Sequence, residues 1–220
     1  MNINLFLNSS EERYPYKNHM ISPFDFSADY VLENECVLLR PLLQSDAVLL
    51  SYFAENEPAL WQYSLMSAAG SSNMVEYIKS AIESRVLKKG YPFIVFDKRT
   101  NEYVGSTRLY DIELKHQTLL LGYTWYGKKF QGTGLNAHCK FLLLCFAFET
   151  MGFERVEFRA DVLNERSIAA MRSIGCREEG VLKSNLMKPD GGRRDSIVLR
   201  ILKEEWVDGV KELLLQKMQR

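Results

Sequence analysis

The chain has 220 residues, 46% of them hydrophobic and 25% charged, which suits one compact domain with a real core. Lys+Arg and Asp+Glu are equal at 28, so the formal net charge is zero. That balance excludes global steering toward nucleic acid or a membrane surface.

No basic stretch followed by an apolar one opens the chain, so no signal peptide is expected. Phe141 to Phe148, the densest apolar run, is far too short to span a bilayer. Cys36, Cys139, Cys145 and Cys176 show no CxxC spacing and read as reduced thiols, consistent with a cytoplasmic protein. His19, His116 and His138 are scattered, and no metal site is expected.

Residues 1–34 mix Asn, Ser, Pro and aromatics without a period and are expected to form an N-terminal extension lying over the domain or partly disordered. A single domain is expected over 35–220. Cys36 to Leu42 reads as a strand. Gln44-Ser45-Asp46 opens a helix to about Glu57, and Trp61 to Met66 suggests a short one. Ser71 or Ser72 is the expected cap of a helix reaching Lys89, with Gly90 as its stop. Tyr91 to Phe96 and Tyr103 to Tyr110 form an expected antiparallel hairpin around Arg99-Thr100-Asn101-Glu102. A third strand runs from Leu119 to Tyr126. A glycine loop and an apolar helix follow, Leu135 to Met151, ended by Gly152. Arg155 to Asp161 alternates as a strand, and Asn164 to Ile174 is a helix closed by Gly175. Two strands, Gly180 to Met187 and Ser196 to Leu202, flank the turn Pro189-Asp190-Gly191-Gly192, and a helix covers Glu204 to about Met218. One βαβ step among hairpins makes an α+β chain with a mixed sheet, not a doubly wound one.

The junction Gln131-Gly132-Thr133-Gly134-Leu135-Asn136 carries the chemistry. Small residues between a strand and a helix leave N–H groups bare and aligned with the helix dipole, which favours a phosphate or pyrophosphate. Gly132-x-Gly134-x-x-Ala137 also fits a dinucleotide fingerprint, but that fold needs repeated parallel βαβ units. Leu135-Asn136 excludes a P-loop. The glycines alone also fit a tight turn with no ligand.

The flanks resolve this. Leu121-Gly122-Tyr123-Thr124-Trp125-Tyr126, Phe130 to Asn136, Phe148-Glu149, Arg155 to Phe158 and Asn164-Glu165-Arg166-Ser167 resemble the GNAT-type N-acetyltransferases, specifically the RimJ/RimL-like branch that acetylates ribosomal proteins. Gly175 with Glu179 to Leu182, and Asp190-Gly191 with Arg194-Asp195-Ser196, extend the likeness over about 35–206. Gln131, Gly132, Thr133 and Gly134 match the family loop, while Asn136 stands where the wider superfamily has Gly or Ala.

The resemblance implies a mostly antiparallel, twisted sheet flanked by helices in three layers, with a V-shaped cleft between two central parallel strands. It implies acetyl-CoA as cosubstrate and a primary amine as acceptor, most directly a protein N-terminal α-amine, attacked in a ternary complex. Pantetheine would pair with backbone of Tyr123, Thr124, Trp125 and Tyr126. The pyrophosphate would meet the N–H groups of Gln131, Gly132, Thr133, Gly134, Leu135 and Asn136. Asn164 would bind pantetheine amides, and Ser167 would protonate the leaving thiolate. From the residues alone, Asn164 is equally a helix N-cap and Ser167 an exposed serine.

The base is missing. Leu119, Leu120 and Leu121 stand where many relatives have Glu, and Leu186 where some branch members do. Asp111 and Glu113 could reach the cleft or simply form a solvated turn. An α-amine with pKa about 7.8 is roughly one-seventh neutral at pH 7, a lysine near 10.4 only about once in a few thousand. An enzyme without a strong base therefore favours an α-amine. The alternatives are a small amine (antibiotic, polyamine or amino acid) or a non-catalytic acyl-CoA-binding module. The hairpin around Asp190-Gly191 and residues 1–34 read as elements of a homodimer or a lid, or equally as simple surface cover.

Overall fold

Apolar side chains every second residue make strands that bury one or both faces, and eight of them form one sheet. The structure, a computed structural model, describes residues 24–219. The strands are β1 (Leu32–Glu33), β2 (Val37–Pro41), β3 (Gly90–Asp97), β4 (Glu102–Glu113), β5 (Thr118–Tyr126), β6 (Arg155–Asp161), β7 (Arg177–Met187) and β8 (Arg193–Leu202). Their order is β1-β2-β3-β4-β5-β6-β8-β7. Neighbours are antiparallel except β5 and β6, which are parallel.

The helices are α1 (Ala47–Asn56), α2 (Ser71–Val86), α3 (Leu135–Cys145), α4 (Glu165–Ser173), α5 (Lys203–Glu205) and α6 (Lys211–Met218). They cover both faces of the sheet. Thr107 and Arg108 are consecutive on β4 and so point to opposite faces. Thr107 meets Thr124, which meets Lys140 of α3; Arg108 lies over Tyr77 of α2. α2 and α3 are therefore on opposite sides, and α6 packs on α3.

The expected mixed, mostly antiparallel sheet is present, and the ends of several elements differ in detail. The helical turn before α2 is a 3-10 turn at Pro58–Trp61, not a helix at Trp61 to Met66. Pro58 supplies the helical φ and lacks the N–H that the turn would leave unpaired. The N-cap of α2 is Gly70, with φ 91° and no side-chain cap, rather than Ser71 or Ser72; the Ser71 hydroxyl turns back to Glu55. That helix ends at Val86, before Lys89, because Lys88 adopts φ 56° and reverses the chain two residues ahead of Gly90.

Residues 1–23 of the expected extension lie outside the described residues. Residues 24–34 pack into the core: Phe24 stacks on Tyr30 and meets Tyr91 and Phe146 edge-on, and Leu32 pairs with Leu39. Burying a side chain of the size of Phe24 stabilises by about 1.5–3 kcal/mol. At the other end, Trp206 stacks on Phe148 and donates its indole N–H to Glu149 at 2.7 Å, closing the far end of α3. Among the described residues, no helix is long and apolar enough to cross a membrane.

Candidate active site

The loop between β5 and α3 is held open from behind. Gly132 and Gly134 have φ 78° and 82°, the left-handed region that a Cβ disfavours. Side chains tie the loop back to its own start: Gln131 Nε2 donates to the Tyr126 carbonyl at 2.7 Å, and Thr133 Oγ1 to the Phe130 carbonyl at 2.8 Å. Arg99, itself paired with buried Asp97, donates to the Thr133 carbonyl at 2.9 Å. Among the described residues, the N–H groups of Gly132, Thr133, Gly134, Leu135 and Asn136 have no protein acceptor, whereas the Gln131 N–H, expected among the free donors, closes the preceding 3-10 turn on the Lys128 carbonyl at 3.2 Å. Five free donors at a helix start make an anion site.

β5 and β6 pair only through Thr118↔Arg155, Leu119↔Val156 and Leu120↔Glu157, and then part. Along the same stretch β5 bulges. Ser106 faces Trp125 and Arg108 faces Gly122, so Tyr123 and Thr124 together oppose Thr107. Tyr123 takes φ 49°. The bulge frees β5 backbone toward the widening gap. Trp125 and Tyr126 contribute only backbone there, since Trp125 packs edge-on against Trp61 and Phe53, and the Tyr126 hydroxyl donates to Asn136 Oδ1 at 3.3 Å.

α4 starts on the other lip. Asn164 caps it, its Oδ1 accepting from the Ser167 N–H at 3.1 Å. The capping role is thus present, and the Asn164 NH2 remains for a ligand. Ser167 is half-buried, and its hydroxyl has no protein partner among the described residues. Arg166, between them, reaches Gln131 Oε1 and links α4 to the loop. Asn164→Asp keeps the capping oxygen and removes the NH2. It is expected to retain the melting temperature and weaken acetyl-CoA binding, whereas Asn164→Ala should also cost about 1 kcal/mol of stability. Calorimetric titration and thermal melts separate the two.

Buried cations stand on both faces of the gap. On the α3 side, Lys140 is 5% exposed and its ammonium donates to Thr124 Oγ1 at 2.9 Å. Burial pushes its pKa down to about 8. The neighbouring thiols of Cys139 and Cys176 are pushed up to about 12 by burial and stay neutral. On the α2 side, Arg108 and Arg194 are both nearly buried. Neither has a carboxylate within ion-pair distance among the described residues. Arg108 lies over Tyr123 and Tyr77, and its buried Nε has no acceptor among the described residues. Arg194 donates to Ser196 Oγ at 3.0 Å, and burial lowers its pKa.

Sequence reading missed Lys140, Arg108 and Arg194. Lys140 sits in an apolar helical run and was absorbed into the core; the arginines alternate inward on strands, a signal that periodicity carries once the buried face is known. Leu119 and Leu121 are buried, and Leu186 is partly exposed, so no carboxylate stands at the expected base positions. Asp111 and Glu113 are exposed and lie toward the paired end of β5, where Glu113 faces Thr118.

Glu35, Cys36 and His138 cluster closely enough to suggest a metal. Polarity argues against ligation. Asn34 Oδ1 accepts from Cys36 and Val37 N–H, so its NH2 must donate to His138 Nδ1, which places the ring proton on Nε2. A metal-bound histidine instead donates from its second nitrogen.

The family model described as Acetyltransferase (GNAT) domain matches residues 37–177. A curated relative, "Putative ribosomal N-acetyltransferase YdaF" of Bacillus subtilis (strain 168), is 34% identical over 103 residues, 46% of this chain. The match spans about half of that relative, 55% of its length. A GCN5-related N-acetyltransferase from Brucella melitensis superposes with TM-score 0.81 at 20% identity, over 89% of this chain and 88% of that one. Mycobacterium smegmatis RimJ in complex with CoA-disulfide superposes with TM-score 0.67 at 21% identity, over 82% and 88%. These two likenesses show the fold.

Proposed function

The chain belongs to the GNAT acetyltransferase family, a family of acyltransferases, and we propose that it transfers the acetyl group of acetyl-CoA to an amine that arrives neutral, in first place a protein N-terminal α-amine. In this reading the free N–H groups from Gly132 to Asn136 hold the pyrophosphate. The β5 backbone from Tyr123 to Tyr126 and the Asn164 amide hold pantetheine, and Ser167 lies by the sulfur. The acceptor enters from the α2 side, attacks the thioester directly, and a β5 N–H at the bulge stabilises the developing oxyanion. RimJ, which shares the fold, was solved with CoA-disulfide. The reading places the protein in the cytoplasm, where acetyl-CoA and new N-termini meet, and includes a homodimer through the β7–β8 hairpin.

One observation carries the choice of acceptor. The amine's side of the cleft holds two buried guanidinium groups, Arg108 and Arg194, and, among the described residues, no free carboxylate. The nearby Asp161 is committed to the Leu163 N–H and Lys188. Positive surroundings disfavour an ammonium, so only an amine that deprotonates easily gains entry. An α-amine does so at neutral pH and a lysine does not.

The test uses two peptide sets of one sequence, one with a free N-terminus and blocked lysines, the other reversed. Faster CoA release with the free N-terminus is expected; faster reaction at lysine ε-amines would overturn the assignment. A second reading, a free amino acid as acceptor, is favoured by the unpartnered Arg108 Nε, which an acceptor carboxylate would satisfy. Acetylation of an amino acid far faster than its amide would select it.

A further inference from the structure

We infer that Lys140 is the acid of the reaction, donating its proton to the sulfur of CoA as the thioester breaks. This rests on acetyl-CoA being the ligand of the cleft. Lys140 bridges the strands at the place where they part. Its ammonium lies 2.9 Å from Thr124 Oγ1 on the β5 bulge and 5.9 Å from the ring of Phe158, the first β6 residue beyond the last parallel pair. Thr124 Oγ1 is engaged with Thr107 Oγ1 at 2.7 Å, so the hydroxyls hold the lysine in place from the sheet side.

The groups facing Lys140 leave it unneutralised. From β5 it meets the hydroxyl of Thr124, itself engaged with Thr107 of β4, and from β6 the Phe158 ring. The titratable groups acting on it are the thiols of Cys139, on its own helix, and Cys176, between α4 and β7. No carboxylate pairs with it among the described residues. A buried ammonium with one protein acceptor keeps two N–H bonds for another partner. Two anions develop in this chemistry, the carbonyl oxygen and the sulfur. The oxygen has the bulge backbone; Lys140 approaches from the α3 side, the side of the anion loop and hence of CoA.

The atoms balance as follows. The acceptor nitrogen bonds to the thioester carbon, the C–S bond breaks, and its electron pair goes to sulfur. The Lys140 ammonium gives that sulfur a proton, forming the CoA thiol. The surplus proton of the new amide returns through water to the neutral lysine. A buried lysine titrating near 8 and a thiol with an ordinary value of about 8.5 are matched for this transfer. Ser167, a much weaker acid, can only donate a hydrogen bond.

The test titrates the thiol of bound CoA by its thiolate ultraviolet absorbance, and needs no acceptor. In the wild type the thiol of bound CoA is expected to ionise about one unit or more below free CoA. Lys140→Met should abolish the shift. Lys140→Arg should keep it, because the charge remains, yet lower kcat about 100-fold, because arginine does not release its proton. Ser167→Ala should leave the shift in place. A wild-type thiol that titrates like free CoA overturns the inference without any variant, as does a shift that survives Lys140→Met or full kcat in Lys140→Arg. Failure of CoA to bind at all would instead overturn the proposed function.

Discussion

Gly134→Val is expected to weaken acetyl-CoA binding about 100-fold while costing the fold only about 1–2 kcal/mol. Gly134 has φ 82°, so any side chain there carries the strain of a left-handed residue. Nothing else among the described residues opposes it, because beyond its chain neighbours a Cβ at Gly134 meets no atom within 4 Å. Gly134 immediately precedes α3, whose free N–H groups are proposed to hold the pyrophosphate, so a side chain there is expected to crowd that group. Gly132, with φ 78° and the same empty surroundings, should behave alike. Gly105 is the contrasting control. A Cβ there would lie 2.1 Å from the Trp125 carbonyl, so Gly105→Ala should lose the β4–β5 pairing and melt at a far lower temperature. Calorimetric titration with acetyl-CoA beside thermal melts decides the matter. Undiminished affinity in a folded Gly134→Val protein would mean that the loop is a turn and no cradle.

Those glycines were legible because they stand at a change of period. Alternation ends at Tyr126 and a 3.6-residue pattern begins at Leu135, so the residues between must reverse the chain. The same logic exposed Gly175, which has φ 95° after α4, and the hairpin at Asp190-Gly191. Where the period is absent, tertiary packing decides. Phe24, Phe26 and Tyr30 show no repeat, yet they close over Tyr91 and Phe146 because an aromatic cluster needs proximity, not spacing. The cap of α2 fell to Gly70 because Ser71 found Glu55, a partner sixteen residues back that local rules do not see.

The site divides along the same line. Its backbone parts, the loop and the bulge, follow from glycines and from a motif. Its charged parts do not. Arg108 and Arg194 come from strands far apart in the chain, and their meaning depends on which groups fail to pair with them. Lys140 lies between Cys139 and Phe141 in a helix with apolar neighbours on nearly every side. A periodicity argument treats one lysine there as noise, whereas the fold makes it a cation between two parting strands.

That cation is held at a cost that can be measured. Lys140 titrates at about 8 in the folded protein against an ordinary 10.5, because burial disfavours its charge. Below pH 8 both folded and unfolded chains carry the proton, and the whole penalty, about 3 kcal/mol, is present. As pH rises from about 8 to 10.5, the folded lysine is already neutral while the unfolded one still binds a proton, so stability is regained. Lys140→Met removes the penalty and fills the same volume, at the loss of one hydrogen bond to Thr124, which keeps Thr107 as a partner. The variant should therefore be more stable than the wild type at pH 7 by about 1–3 kcal/mol, roughly 2–4 °C in melting temperature per kcal/mol. The difference should shrink between pH 8 and 10.5. Burial pushes Cys139 and Cys176 up to about 12 from an ordinary 9.0, so both thiols lower stability from about pH 9 upward, but they do so in wild type and variant alike and cancel in the difference. A variant less stable than the wild type at pH 7 would make Lys140 a structural group. A variant more stable but inactive would mean that the fold carries a buried charge it could discard, and retains it for the chemistry in the cleft.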